Sequence, residues 1–205
     1  MQQFHTWLIM LDFRIWMYLH ANWRFEFLDV IMPFIRNQFT WAPLYLFLLV
    51  FMPYNFGKHG WIWLIGFLLC FVIGDSVSGS LIKPWIHRIR PCNDPRLADY
   101  LHLIVPRSSG WSFPSSHATN HFALGTFSAI TLHGRMKWFW PIPIFWALMV
   151  GYAQIYVGVH FPLDVFAGSM LGILIGYGVS KLYHRHWSLA RPSVPDEVDT
   201  IDLNV

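Results

Sequence analysis

Three short stretches of this chain carry side chains whose types and spacing suit chemistry on a phosphate. In Lys83-Pro84-Trp85-Ile86-His87-Arg88-Ile89-Arg90-Pro91, two cations, Lys83 and Arg90, bracket a rigid segment. Ser112-Phe113-Pro114-Ser115-Ser116-His117 stands directly before an apolar run from Ala118 to Leu132. Pro114 favours the first turn of a helix, which predicts Ser115, Ser116 and His117 at a helix N-terminus. Unpaired N–H groups and the positive end of the helix dipole make such a terminus an anion site. The plainer alternative is that Ser112 or Ser115 only caps the helix. His160 and Asp164 stand at i and i+4. A helix opened by Pro162 would let the carboxylate reach the imidazole and fix its tautomer, the arrangement of an activated nucleophile. Taken singly, Lys83 reads as a snorkelling span-end lysine, Arg90 as a surface cation and His160 as a buried hydrogen-bonded histidine. Their occurrence together on one face favours a phosphate site.

The elements that must hold these groups are membrane helices. The chain is 55% hydrophobic and 12% charged, far from the roughly one-quarter charge of soluble domains. Two cysteines, Cys70 and Cys92, are too few for a disulfide framework. Residues 4–22 and 25–37 are apolar but interrupted by Asp12 and Arg14, then by Glu26, Asp29 and Arg36. Charges at mid-span are costly in lipid, so residues 1–38 are expected as interfacial helices, a full span over 4–22 being the weaker alternative. Spans are predicted at Thr40–Tyr54, from Trp61 to Lys83, at Ala118–Leu132, Trp138–Val159 and Pro162–Tyr183. Asp75 and Lys83 share roughly one face, which fits either a supporting partner for the lysine or a plain helix–helix hydrogen bond. Gly172 and Gly176 form a G-x-x-x-G suited to close packing within the chain, a dimer face being the lesser option. From residue 186 the tail, with Asp196, Glu197, Asp199 and Asp202, is expected to be disordered. With five spans, Lys83, Ser115–His117 and His160 all meet at one membrane face. Lys58, Arg135, Lys137, Lys181, Arg185 and Arg191 fall at the other, which predicts an extracytoplasmic site.

The order Lys-x6-Arg-Pro, Pro-Ser-x-His and His-x3-Asp, with short gaps, resembles the three-part signature of the type 2 phosphatidic acid phosphatase (PAP2) superfamily over roughly residues 60–184. The resemblance implies an all-α integral membrane bundle of about five transmembrane helices plus N-terminal interfacial helices, with the PAP2-like catalytic domain over 39–185. It also implies hydrolysis of a lipid phosphate or diphosphate without a metal or cofactor. His160 would attack phosphorus to give a phosphohistidine, Asp164 would orient it, and His117 would protonate the leaving oxygen. Lys83, Arg90, Ser115, Ser116 and Gln154 would bind the phosphate. Isoprenoid diphosphates such as undecaprenyl diphosphate rank first as substrates, with phosphatidate and phosphatidylglycerol phosphate close behind. The expected partners are this substrate and membrane lipids, with no nucleic acid, in a bacterial inner membrane. Two positions depart from the signature. Ala153-Gln154 stands where the family usually has Ser-Arg, and Ser116 where it usually has glycine. The alternative function is therefore a lipid-phosphate binding or flipping protein that has lost catalysis.

Overall fold

The computed structural model describes residues 2–187 and residue 189. The expected acidic tail lies outside these residues, apart from His186, Trp187 and Leu189. Among the described residues every regular element is helical. The chain begins with α1 (Gln2–Met17), a π turn at Tyr18–Asn22 and α2 (Glu26–Arg36). A 3-10 turn at Gln38–Trp41 leads into α3 (Ala42–Phe56), and Gly57, at φ 54°, reverses the chain into α4 (Lys58–Asp75). That helix widens into a π segment, Ser76–Ile82, and ends in the short α5 (Lys83–Ile86). A long loop follows, then α6 (Ser116–His133), α7 (Pro141–Tyr156) and α8 (Pro162–His186).

This is an all-α membrane bundle. Gln38–Phe56, the continuous run Lys58–Ile86, and Pro162–His186 are long and apolar enough to cross a bilayer. The other two expected spans are different in kind. α7 is a shorter apolar helix that starts at Pro141 rather than Trp138 and stops at Tyr156. α6 is the central helix, packed by α4, α7 and α8, and nearly all of it is buried. Its Thr119, Asn120, Thr126 and Ser128 therefore face protein and not lipid, which is why it need not be as apolar as an outer helix.

The closest packing is between α6 and α8. A Cβ added at Gly168, Gly172 or Gly176 would lie 2.5, 2.3 and 2.5 Å from the carbonyl oxygens of Ser115, Thr119 and Ala123. The G-x-x-x-G is thus spent on contacts within the chain. Gly172→Ala is expected to destabilise the bundle by about 1–3 kcal/mol through overpacking. The check is a lowered melting temperature of the detergent-purified protein. Gly178→Ala, whose Cβ would meet nothing within 4 Å, should leave it unchanged.

The N-terminal helices pack on the end of the bundle where the 87–115 loop lies. Trp16 is wholly buried beside Phe161, Val165 and Leu97, and stacks on His20 at 4.6 Å. His20 Nδ1 lies 2.7 Å from the Tyr156 carbonyl, and the His102 N–H donates to His20 Nε2 at 3.2 Å. Asp12, which the sequence pattern marks as a charge that keeps α1 at the interface, is buried instead. It accepts from the Leu163 N–H at 2.7 Å and from Arg88.

Candidate active site

Lys83 is delivered by the π segment. An i→i+5 widening commonly marks functional positions in helices, and here it follows Asp75 through Ser76-Val77-Ser78-Gly79-Ser80. His87 ends the helix with a left-handed φ of 52° and packs edge-on against Trp111 at 4.6 Å. The chain then turns inward. Arg90 is 9% exposed, and its Nε donates to the carbonyls of Ser109 (3.1 Å) and Gly110 (3.2 Å). One terminal nitrogen donates to the Val159 carbonyl at 3.2 Å and lies 2.9 Å from His160 Nε2. The Ser112 N–H donates to the Arg88 carbonyl at 2.7 Å, closing the loop on itself.

His160 sits between α7 and α8, 1% exposed. Gly158, at φ 78°, turns the chain there, and the N–H groups of Val159 and His160 both donate to the Gln154 carbonyl at 3.2 Å. The Asp164 carboxylate is 3.6 Å from His160 Nδ1, beyond a direct hydrogen bond. The Ser112 hydroxyl fills that gap, 3.3 Å from Nδ1 and donating to Asp164 Oδ2 at 2.5 Å. Asp164 also accepts from the Phe161 N–H at 2.9 Å and from Arg88 at 2.6 Å. A carboxylate on the Nδ1 side favours the Nδ1–H tautomer and leaves the Nε2 lone pair facing Arg90. Burial pushes His160 down to about 4, with Arg90 and Lys83 adding to the effect and Asp164 opposing it, so the ring is neutral near pH 7. Burial likewise lowers Arg90 from its ordinary range.

The helix start differs from expectation in one respect. Pro114 follows a cis peptide bond and lies before the helix, not in its first turn. Ser115 is the N-cap, its Oγ accepting from the Ala118 N–H at 3.4 Å, so its side chain is engaged in capping. Ser116 Oγ accepts from the Ser78 hydroxyl at 2.9 Å, which joins α6 to the π segment. His117 lies within electrostatic reach of His160, Lys83 and Arg36. His121 has Nδ1 2.8 Å from the His117 carbonyl and its ring edge against Trp146, a structural placement. Gln154 is fully buried, and neither of its amide atoms has a hydrogen-bond partner among the described residues.

Lys83, Arg90, His117, His160 and Asp164 therefore converge at one end of the bundle, with Ser115 and Ser116 at the adjoining helix start. Asp75 fills both of its expected roles, since its charge acts on Lys83 and its carboxylate meets a neighbouring helix. It is exposed and accepts from Asn120 Nδ2 at 3.4 Å, a helix–helix contact. Sequence reasoning misses Asp12 and Ser112 as parts of this site. Arg88 joins Asp164 to Asp12 and lies 4.3 Å over the Phe161 ring. Ser112 reads in sequence only as a cap, yet its hydroxyl stands between the imidazole and the carboxylate.

Comparisons with known proteins agree with this architecture. The PAP2 superfamily model matches residues 61–188. A lipid A 4'-phosphatase of Bacteroides thetaiotaomicron is 30% identical over 162 residues, covering 78% of this chain and 71% of that protein. An undecaprenyl-diphosphatase of Sulfolobus acidocaldarius is 32% identical over 141 residues, covering 69% and 62%. The crystal structure of Aquifex aeolicus LpxE superposes with a TM-score of 0.62 at 30% identity, over 83% of this chain and 95% of that one.

Proposed function

The chain belongs to the PAP2 superfamily, and on that premise we propose that it is a membrane phosphatase that hydrolyses a lipid phosphate or diphosphate through a phosphohistidine. The carrying observation is one of charge. Among the described residues no carboxylate forms an ion pair with Lys83 or Arg90, whereas Asp164 is already paired with Arg88. Two cations converging on a neutral histidine, with only the longer-range charges of Asp75 and Asp164 acting on them and no carboxylate in direct contact, are complementary to a phosphate dianion. His160 Nε2 attacks phosphorus, the P–O bond to the lipid breaks, and the electron pair leaves on the lipid oxygen. His117 gives that oxygen its proton. Water then attacks the phosphohistidine as His117 takes its proton, releasing orthophosphate and restoring both Nε2 and the protonated His117. Asp164, held by Arg88, Ser112 and the Phe161 N–H, fixes the ring throughout.

The relatives act on lipid A and on undecaprenyl diphosphate, so both chemical types belong in the test. Detergent-purified protein is offered lipid A, undecaprenyl diphosphate and phosphatidylglycerol phosphate, and orthophosphate release is measured. Turnover of at least one is expected. No release from any of them would leave the binding or flipping function as the better reading.

We place the site on the extracytoplasmic side of a bacterial inner membrane. Arg135 lies 5.6 Å over the Phe56 ring and donates to the Leu189 carbonyl, so the α3–α4 turn, the α6–α7 turn and the end of α8 gather at the end opposite His160. That end carries Lys58, Arg135, Lys137, Lys181 and Arg185 in short turns and a helix end, and such basic segments remain cytoplasmic. Of the more numerous cations at the site end, Arg24, Arg88 and Arg96 are paired with carboxylates, and Lys83 and Arg90 face the proposed phosphate. Asp99→Cys, on the exposed part of the loop, should react with an impermeant maleimide on intact cells, while Cys70 and Cys92 are buried. Protection of the introduced thiol until the membrane is opened would reverse the topology.

A further inference from the structure

Gln154 leaves α7 with an uncharged, unpartnered amide beside the loop that holds His160, and a different helix brings a guanidinium to the same end. Ala153, wholly buried, packs with Cys92, Tyr156, Val157 and Val159 against Met32 of α2, with Leu28 and Ile35 alongside. α2 is fixed on this face at both ends. The Tyr156 hydroxyl donates to Asp29 at 2.6 Å, and Arg24 donates to the same carboxylate at 2.7 and 2.8 Å. Trp41 Nε1 donates to the Ile35 carbonyl at 2.9 Å. The next residue, Arg36, closes α2.

Arg36 Nε is buried without a hydrogen-bond partner, and no carboxylate pairs with Arg36 among the described residues. The groups it acts on or feels are Arg90, Cys92 and His117. Burial first, then the charge of Arg90, lowers Arg36 from its ordinary range. Two guanidiniums and Lys83 drawn together without a directly paired anion repel one another and lose hydration, whereas the same cluster is favourable around a dianion.

We propose that Arg36 is a phosphate-binding residue of this site, supplied by the N-terminal helix in place of a guanidinium at position 154. The inference rests on the phosphatase reading for its turnover arm but has a binding arm of its own. Arg36→Met keeps an apolar stem of similar length while removing the charge. It should raise KM and weaken competitive inhibition by orthophosphate, with kcat/KM falling by about 30-fold or more, the worth of a charge-assisted bond. Arg36→Lys, a point charge without the planar fork, should fall by about 10-fold. Gln154→Arg added to Arg36→Met should recover at least about 10-fold of kcat/KM.

Orthophosphate should also raise the melting temperature of the wild-type protein, and Arg36→Met should lose most of that rise. If Arg36→Met does not fold, Arg36→Lys decides alone. A wild-type KM and a wild-type orthophosphate response in whichever variant folds would overturn the proposal, as would a double variant no better than Arg36→Met. An inactive wild type whose melting still responds to orthophosphate, and whose response needs Arg36, would sink the phosphatase reading and leave this inference standing.

Discussion

His160→Ala is expected to lower phosphate release by roughly 10⁴-fold or more, the scale on which removing a covalent nucleophile acts in other hydrolases. The size follows from what the ring does in the proposed mechanism. Its Nε2 is the only proposed nucleophile, and the remaining cations bind the phosphate without providing another route to break the P–O bond. The side chain is 1% exposed and lies between Ser112 and Arg90, so its removal leaves a cavity and deprives both of a partner, at a cost of about 1–3 kcal/mol. The variant should stay monodisperse, with a modestly lowered melting temperature. A loss of activity far larger than that of Gly172→Ala at a similar melting temperature separates chemistry from stability. Labelled phosphate from the substrate should appear covalently on wild-type protein denatured in alkali, where a phosphoramidate bond survives, and be absent from His160→Ala. Retention of a tenth of the wild-type rate, or undiminished label, would rule His160 out as nucleophile.

The parts of the site that can be read from the chain are those whose partners are near in sequence or lie at span ends. His160 and Asp164 are one helical turn apart, Lys83 ends an apolar run, and Ser115 to His117 open the next. The rest depends on pairings with no period. Asp12 meets Arg88 across 76 residues and the Leu163 N–H across 151, so nothing in the local pattern of α1 marks Asp12 as buried. By pattern alone a charge in an apolar helix seeks the interface, and here the physical alternative, a buried charge satisfied by a distant guanidinium and an amide, wins. Arg36 escapes a sequence reading for the same reason. In the fold, the outer spans are legible because lipid-facing helices must be apolar throughout. α6 is legible mainly from its motif and length, since a central helix surrounded by protein can carry Thr119, Asn120 and Ser128. Pro114 shows the limit of residue rules. Proline suits a helix start, but here Ser115 takes the cap and the proline stays outside, with the chain held by the Ser115 N–H donating to the Asp164 carbonyl at 2.9 Å.

His117→Ala is expected to separate the two histidines by leaving group. With a lipid phosphate, whose alkoxide is a poor leaving group, loss of the proton donor should cost about 10²–10⁴-fold in kcat. With a nitrophenyl phosphate, whose phenolate departs without protonation, the loss should shrink to about 10-fold or less on the same argument. His160→Ala should show no such difference, because without the nucleophile neither substrate is attacked. The arrangement supports this split. His117 stands in the first turn of α6, beside Lys83 and the neutral His160, while its ring makes no hydrogen bond to the described residues that would tie it to a structural task. A bound dianion beside it favours the protonated ring, and departure of the lipid oxygen gives that proton somewhere to go. If His117→Ala lost as much on nitrophenyl phosphate as on the lipid, the ring would be holding the phosphate and not protonating the leaving oxygen, and the general acid would have to be another group.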